Sequence, residues 1–156
     1  MVSGRRFYLD ALLWLGAAAA GAEEDVPNYY FYDLNLKINK RLGDRDRLYV
    51  SGYFGRDVLA SSSGDGESID IGWGNRTANL RWTHIFSPEL FSSSSLIFTD
   101  YEFGTELISR VGAALTSFGV RSNIQDVTVR SELQWALHDR HAVKAGIDVT
   151  HHLYVS

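Results

Sequence analysis

The chain contains no cysteine. This excludes a disulfide scaffold, a thiolate zinc site and a cysteine nucleophile. Proline is nearly missing too, with two in 156 residues, so long strands can run without losing ladder donors. Basic residues are the minority: 15 Lys and Arg stand against 19 Asp and Glu, a formal charge of −4. Without a basic run there is no electrostatic footprint for a nucleic-acid partner. Long apolar runs are also lacking. The longest, Ala11 to Ala22, falls short of the ~20 residues of a transmembrane helix. If the chain enters a membrane it does so as β-structure, whose backbone groups pair between strands. What is present is 45% hydrophobic residues, 13% aromatics and 14 glycines. That hydrophobic share argues against disorder, and the aromatic excess favours strands. The length suits one domain.

The N-terminus imitates a signal peptide. Arg5 and Arg6 precede the apolar stretch Leu12 to Ala20, and Ala20-Gly21-Ala22 resembles a cleavage site. Asp10 directly before the run argues against that reading, and the alternative is an Ala-rich helix or loop joining two strands. We therefore divide the chain into 1–22, a strand stub with an Ala-rich connection, and 23–156, a sheet-forming segment.

From Tyr29 onward the dominant period is two. Tyr30, Tyr32, Leu34, Leu36 and Ile38 alternate with Asp33, Asn35, Lys37 and Asn39, which gives a strand one apolar and one polar face. Gly43 to Asp46 is turn chemistry. A second strand covers about 47–57 and a third about 73–86, where Ala78, Leu80 and Trp82 oppose Asn79, Arg81 and Thr83. Between them, the polar glycine-rich stretch Ala60 to Ser68 reads as a long exposed loop. Pro88 marks a turn before a fourth strand, 91–103. The pattern blurs after Gly104. It sharpens again at 124–137, where Val127, Val129, Leu133 and Trp135 oppose Arg130, Glu132 and Gln134. After a turn at 138–141, Val143, Ala145, Ile147 and Val149 oppose Lys144, Asp148 and Thr150. Short turns favour a meander.

Three features point the apolar faces toward lipid. The strands exceed the ~5–6 residues of globular sheets and reach the ~9–11 that cross a bilayer. The polar faces carry Asn, Arg, Asp, Lys and Glu, as a wet lumen would. Aromatics gather near strand ends at Tyr29 to Tyr32, Trp73, Phe86, Phe91, Tyr101, Phe103, Trp135 and Tyr154, where interfacial girdles are expected. The alternative is a soluble antiparallel sheet over an aromatic core. Connections alternate short and long, so 104–123 is expected to be an outer connection, which leaves seven spanning strands. Bacterial single-chain barrels are even-numbered. The expected fold is thus an all-β antiparallel transmembrane meander that is part of a larger barrel, unless 106–121 is an eighth strand.

Five blocks carry a resemblance: SGRRFYLD at 3–10, YFYDLNLK at 30–37, DRLYVSGYFGRD at 46–57, WGNRTANLRWTHIF at 73–86 and HAVKAGIDVTHH at 141–152. Together and in this order they resemble the early barrel of TonB-dependent outer-membrane receptors of the Bacteroidetes type. The resemblance implies a 22-stranded barrel around a plug, placed in the cell outer membrane. It implies uptake of a siderophore, cobalamin or glycan-type nutrient driven through the TonB complex. The 156 residues depart from the family by lacking the plug, the TonB-contacting box, most of the barrel and a closing C-terminal aromatic. A partner role for TonB would run through that absent plug. The resemblance also makes Arg5 to Asp10 barrel sequence instead of a leader. The second reading is a self-contained eight-stranded outer-membrane barrel with a structural or adhesive role, and the third is a soluble lipocalin-like binder.

No catalytic, phosphate-binding or zinc-protease motif is present, so neither an enzyme nor a cofactor is expected. His138 and His141 flank a turn, and the adjacent His151 and His152 face opposite ways on a strand and cannot share a metal. The candidate lumen-facing residues are Lys37, Arg81, Arg130, Glu132, Lys144 and Asp148. The partners expected are outer-membrane lipid and a small nutrient.

Overall fold

The computed structural model describes residues 1–20, 27–63, 66–112, 114–138 and 141–155. Gly21 and Ala22 of the leader-like motif, Asp65 of the serine-rich loop, Asp139 and Arg140 of the last turn, and Ser156 lie outside them. The elements are β1 (Val2–Tyr8), α1 (Leu9–Ala20), β2 (Asn28–Arg41), β3 (Asp46–Ser62), β4 (Ser68–Ser87), β5 (Leu90–Val111), β6 (Ala114–His138) and β7 (His141–Val155). The seven strands form one antiparallel sheet in chain order. The apolar run that imitates a leader is helical, in keeping with its alanine and leucine content.

The register is uninterrupted from edge to edge, apart from shifts at Ile85/Ser87 and Ala136/His138 beside two of the turns. It sets Leu34, Phe54 and Arg76 in one rung, and Ile38, Val50, Leu80, Leu96, Val129 and Val149 in another. Along this stretch one face of the sheet collects apolar members of β2 to β7. Among the described residues none of the hydrophobic side chains is buried. Leu34, Ile38, Leu80, Leu96, Val129, Ile147 and Val149 are all exposed. A single layer with an open apolar face has no second layer to form a core, which a soluble sheet requires.

Two expectations change. Residues 104–123 are neither a loop nor an additional strand. They are the facing arms of one hairpin, because β5 continues to Val111 and pairs there with Ala114 of β6. The strand count therefore stays at seven. The expected loop at Ala60 to Ser68 is shorter, since β3 runs on to Ser62, which pairs with Ser68 at the start of β4.

Candidate functional site

The face opposite the apolar one holds the six residues singled out as lumen-facing. Four of them come together where β6 meets β7. Arg130 Nε donates to Asp148 Oδ2 at 2.6 Å, and Lys144 Nζ lies 3.0 Å from Glu132 Oε2. Both pairs are solvated, so each contributes up to about 1 kcal/mol. Arg81 and Lys37 are not brought to this cluster. The Arg81 guanidinium lies 4.6 Å from the ring centre of Tyr49, and Lys37 stands opposite Ser51 on the β2–β3 ladder. The most buried charge on this face is one the sequence did not single out. Asp33 is 8% exposed, is ion-paired with Arg5 of β1, and accepts a hydrogen bond from Asn35 at 3.4 Å. Pairing removes most of the cost of burying a carboxylate.

The polar character of this face ends partway along β4, β5 and β6. On β4 the odd positions are polar at Thr77, Asn79, Arg81 and Thr83, yet apolar at Ile69, Ile71 and Trp73. The even positions invert in step: Ala78, Leu80 and Trp82 give way to Asp70, Gly72, Gly74 and Arg76. β5 switches at the same level, since Leu96 and Phe98 on the apolar face are followed by Asp100 and Glu102. The first rung beyond the switch aligns Phe7, Phe31, Asp57, Trp73 and Phe103, and the next aligns Leu59, Ile71, Thr105 and Val120. Phe7 and Phe31 stack at 5.4 Å. Tyr29, on the same face, donates its hydroxyl to Asp57 at 3.1 Å. Burial, and then that bond to a carboxylate, hold the Tyr29 phenol above its ordinary range.

Across the sheet from this aromatic wall lies a network of charges. Arg76 reaches Glu102 at 3.4 Å and Asp100 at 3.7 Å, and Arg56 lies 3.8 Å from Glu102. Asn123 Nδ2 donates to Asp100 at 2.6 Å. Beside the network is a groove of about 350 Å³ floored by Gly72, Gly104 and Gly119.

The inversion corrects the expected aromatic girdles. Tyr30, Tyr32, Phe86 and Trp135 stand on or beside the apolar face, where the Phe86 ring meets His84 at 4.6 Å. Tyr29, Phe31, Trp73, Phe91, Tyr101, Phe103 and Tyr154 stand on the opposite face by register. Tyr29, Phe91 and Tyr154 do lie near strand ends, whereas Tyr101 and Phe103 lie in the middle of β5, and parity assigns all of them to the other side. The signal that would have separated them is the phase change between Trp73 and Leu80.

Among the described residues no group of three or more His, Asp or Glu is arranged to hold a metal ion. No protein-family model and no curated protein matches the chain.

Proposed function

We propose that this sheet is a sector of an outer-membrane β-barrel, with its apolar face in lipid and its polar face lining the lumen, and that it belongs to a TonB-dependent nutrient receptor. The observation that carries the membrane part is the apolar band itself. It runs from β2 to β7 through Ile38, Val50, Leu80, Leu96, Val129 and Val149, and it is exposed on β2, β4, β5, β6 and β7. On β4 the band lies between Arg76 and His84. Eight residues at ~3.3 Å each, tilted by about 40°, give a height of about 20 Å, close to the ~25 Å apolar band of outer-membrane barrels. The short connections at 42–45 and 88–89 then face the periplasm, and the strand ends Ser62/Ser68 and Val111/Ala114 face outward.

Strand parity supports a larger barrel. With seven strands in a meander, β1 and β7 run in the same direction. Pairing them with each other, or with those of a second copy in the same orientation, would put parallel neighbours into an antiparallel barrel. Antiparallel closure needs an odd number of further strands, and a 22-stranded receptor would supply fifteen. An eight-stranded barrel would need one, which is the second reading. The receptor assignment rests on the five ordered blocks described above, together with strands that continue far beyond the band. From Asp100 to Val111, β5 adds about 28 Å of height at the same tilt.

Membrane fractionation tests the first part. The protein should resist alkaline extraction from the outer membrane and need detergent to dissolve, whereas a soluble monomer without detergent would overturn the reading. Disrupting the coding sequence tests the second. Loss of energy-dependent uptake of a scarce nutrient is expected of a receptor, and unchanged uptake would favour the small structural barrel.

A further inference from the structure

We propose that α1 folds across the aromatic outer half of the polar face and closes it as a lid. The inference rests on the reading of that half as an outward-opening vestibule. Two unsatisfied apolar surfaces meet at the same end of the sheet. One is the wall formed by Trp73, Ile71, Phe103, Leu107, Val120 and Phe118 across β4, β5 and β6. The other is α1, which carries Leu12, Leu13, Trp14 and Leu15 in succession and is therefore apolar around its circumference, with Leu12 58% and Leu15 62% exposed. A helix apolar on all sides is stable in water only when covered. In this structure α1 lies near β2 with Leu12 to Leu15 exposed.

Length and position match. β1 ends at Tyr8, opposite Tyr30, one rung above Phe7 and Phe31, so α1 starts level with the wall. Twelve helical residues span about 18 Å, and strands stand about 4.8 Å apart. Laid crosswise from β1, the helix passes β2, β3 and β4 and ends just short of β5, so it covers Phe31, Leu59, Ile71 and Trp73 and abuts the β5–β6 part of the wall. The chain from Ala20 to Asn28 is long enough to return to β2 at ~3.3 Å per residue. The opposite face at this height offers no comparable cover, because Arg56, Arg76, Glu102 and Asp100 occupy it.

The absence of native cysteine makes disulfide trapping clean. In membrane vesicles of the whole chain, Leu15→Cys is paired with Leu59→Cys on the wall, or with Val58→Cys, its neighbour on the opposite face. The L15C/L59C protein should shift mobility on a non-reducing gel as a monomer, and the L15C/V58C protein should not. The reverse preference, a dimer-sized product, or no product from either pair overturns the lid. A variant retaining only Trp14 gives a second readout, since strong quenching by brominated lipid would place α1 in the membrane. Quenching of a variant retaining only Trp82 reports separately on the barrel reading, so failure of the lid and failure of the barrel are told apart.

Discussion

Replacing Leu80 by arginine separates a lipid-facing sheet from a water-facing one by the size of its effect. Leu80 is 44% exposed and lies four residues from Arg76 and four from His84, at the middle of the apolar band. Its rung neighbours are Val50 and Leu96, so no carboxylate stands opposite to receive the new charge. On the lipid face of a barrel, arginine at the midplane costs about 2–4 kcal/mol. That lowers the folding equilibrium by roughly 30- to 700-fold, at 1.4 kcal/mol per tenfold. On a water-exposed sheet the same change falls within about 0.5 kcal/mol of neutral and improves solubility. The assay is reversible urea unfolding from lipid vesicles, followed by tryptophan fluorescence. Asn79→Arg, on the opposite face of the same strand, is the control and should cost far less than Leu80→Arg. A neutral or stabilising Leu80→Arg would refute the lipid-facing assignment.

Other consequences concern single interactions. Asp46 accepts hydrogen bonds from Trp82 Nε1 at 2.9 Å and shares one with His84 Nδ1 at 2.7 Å, and its carboxyl is held below the ordinary range, chiefly by His84. A depressed carboxyl stabilises the fold above its unfolded pKa and loses that contribution as pH falls through the folded value. Acid unfolding followed at Trp82 should therefore show a step below about pH 4 that Asp46→Asn removes. A double-mutant cycle on Arg130 and Asp148, 49% and 45% exposed, should give a coupling under about 1 kcal/mol that fades with salt. A coupling of several kcal/mol would mean the pair is desolvated by something further on that face. Gly146→Ala would place its methyl 2.8 Å from the Ser131 carbonyl oxygen. It should cost about 1–3 kcal/mol in the same unfolding assay, whereas Gly43→Ala, with nothing within 4 Å, should cost less.

Much of the sheet was legible from alternation alone, and the reason is local. Through β2 and the apolar-banded halves of β4, β6 and β7, one parity is mostly apolar, as at Leu34, Leu36 and Ile38, so the strand and its faces follow together. Legibility failed where the environment changes along a strand. Around Leu107 and Ile108, then Leu115 and Phe118, apolar residues fall on both parities, and the facing arms of the β5–β6 hairpin looked like a loop. Ile69, Ile71 and Trp73 kept period two but in the opposite phase. Composition without phase does not separate this aromatic wall from the four aromatics on or beside the apolar face, Tyr30, Tyr32, Phe86 and Trp135. The ion pairs Arg130–Asp148 and Lys144–Glu132 were readable as one polar face but not as partners, because pairing depends on the register set at the 138–141 turn. Asp33 with Arg5 depends on β1 docking beside β2, a contact spanning 28 residues that no local pattern encodes.

The central claim is that the two faces of one sheet meet different solvents, and that the faces exchange character at the Arg76–Asp100 level. Quenching by lipids brominated along their chains measures this most directly, in single-tryptophan variants retaining Trp82 or Trp73. The account predicts strong quenching of Trp82, within the apolar band, and little of Trp73, on the opposite face beyond it. Equal quenching of both, or none at Trp82, would contradict it.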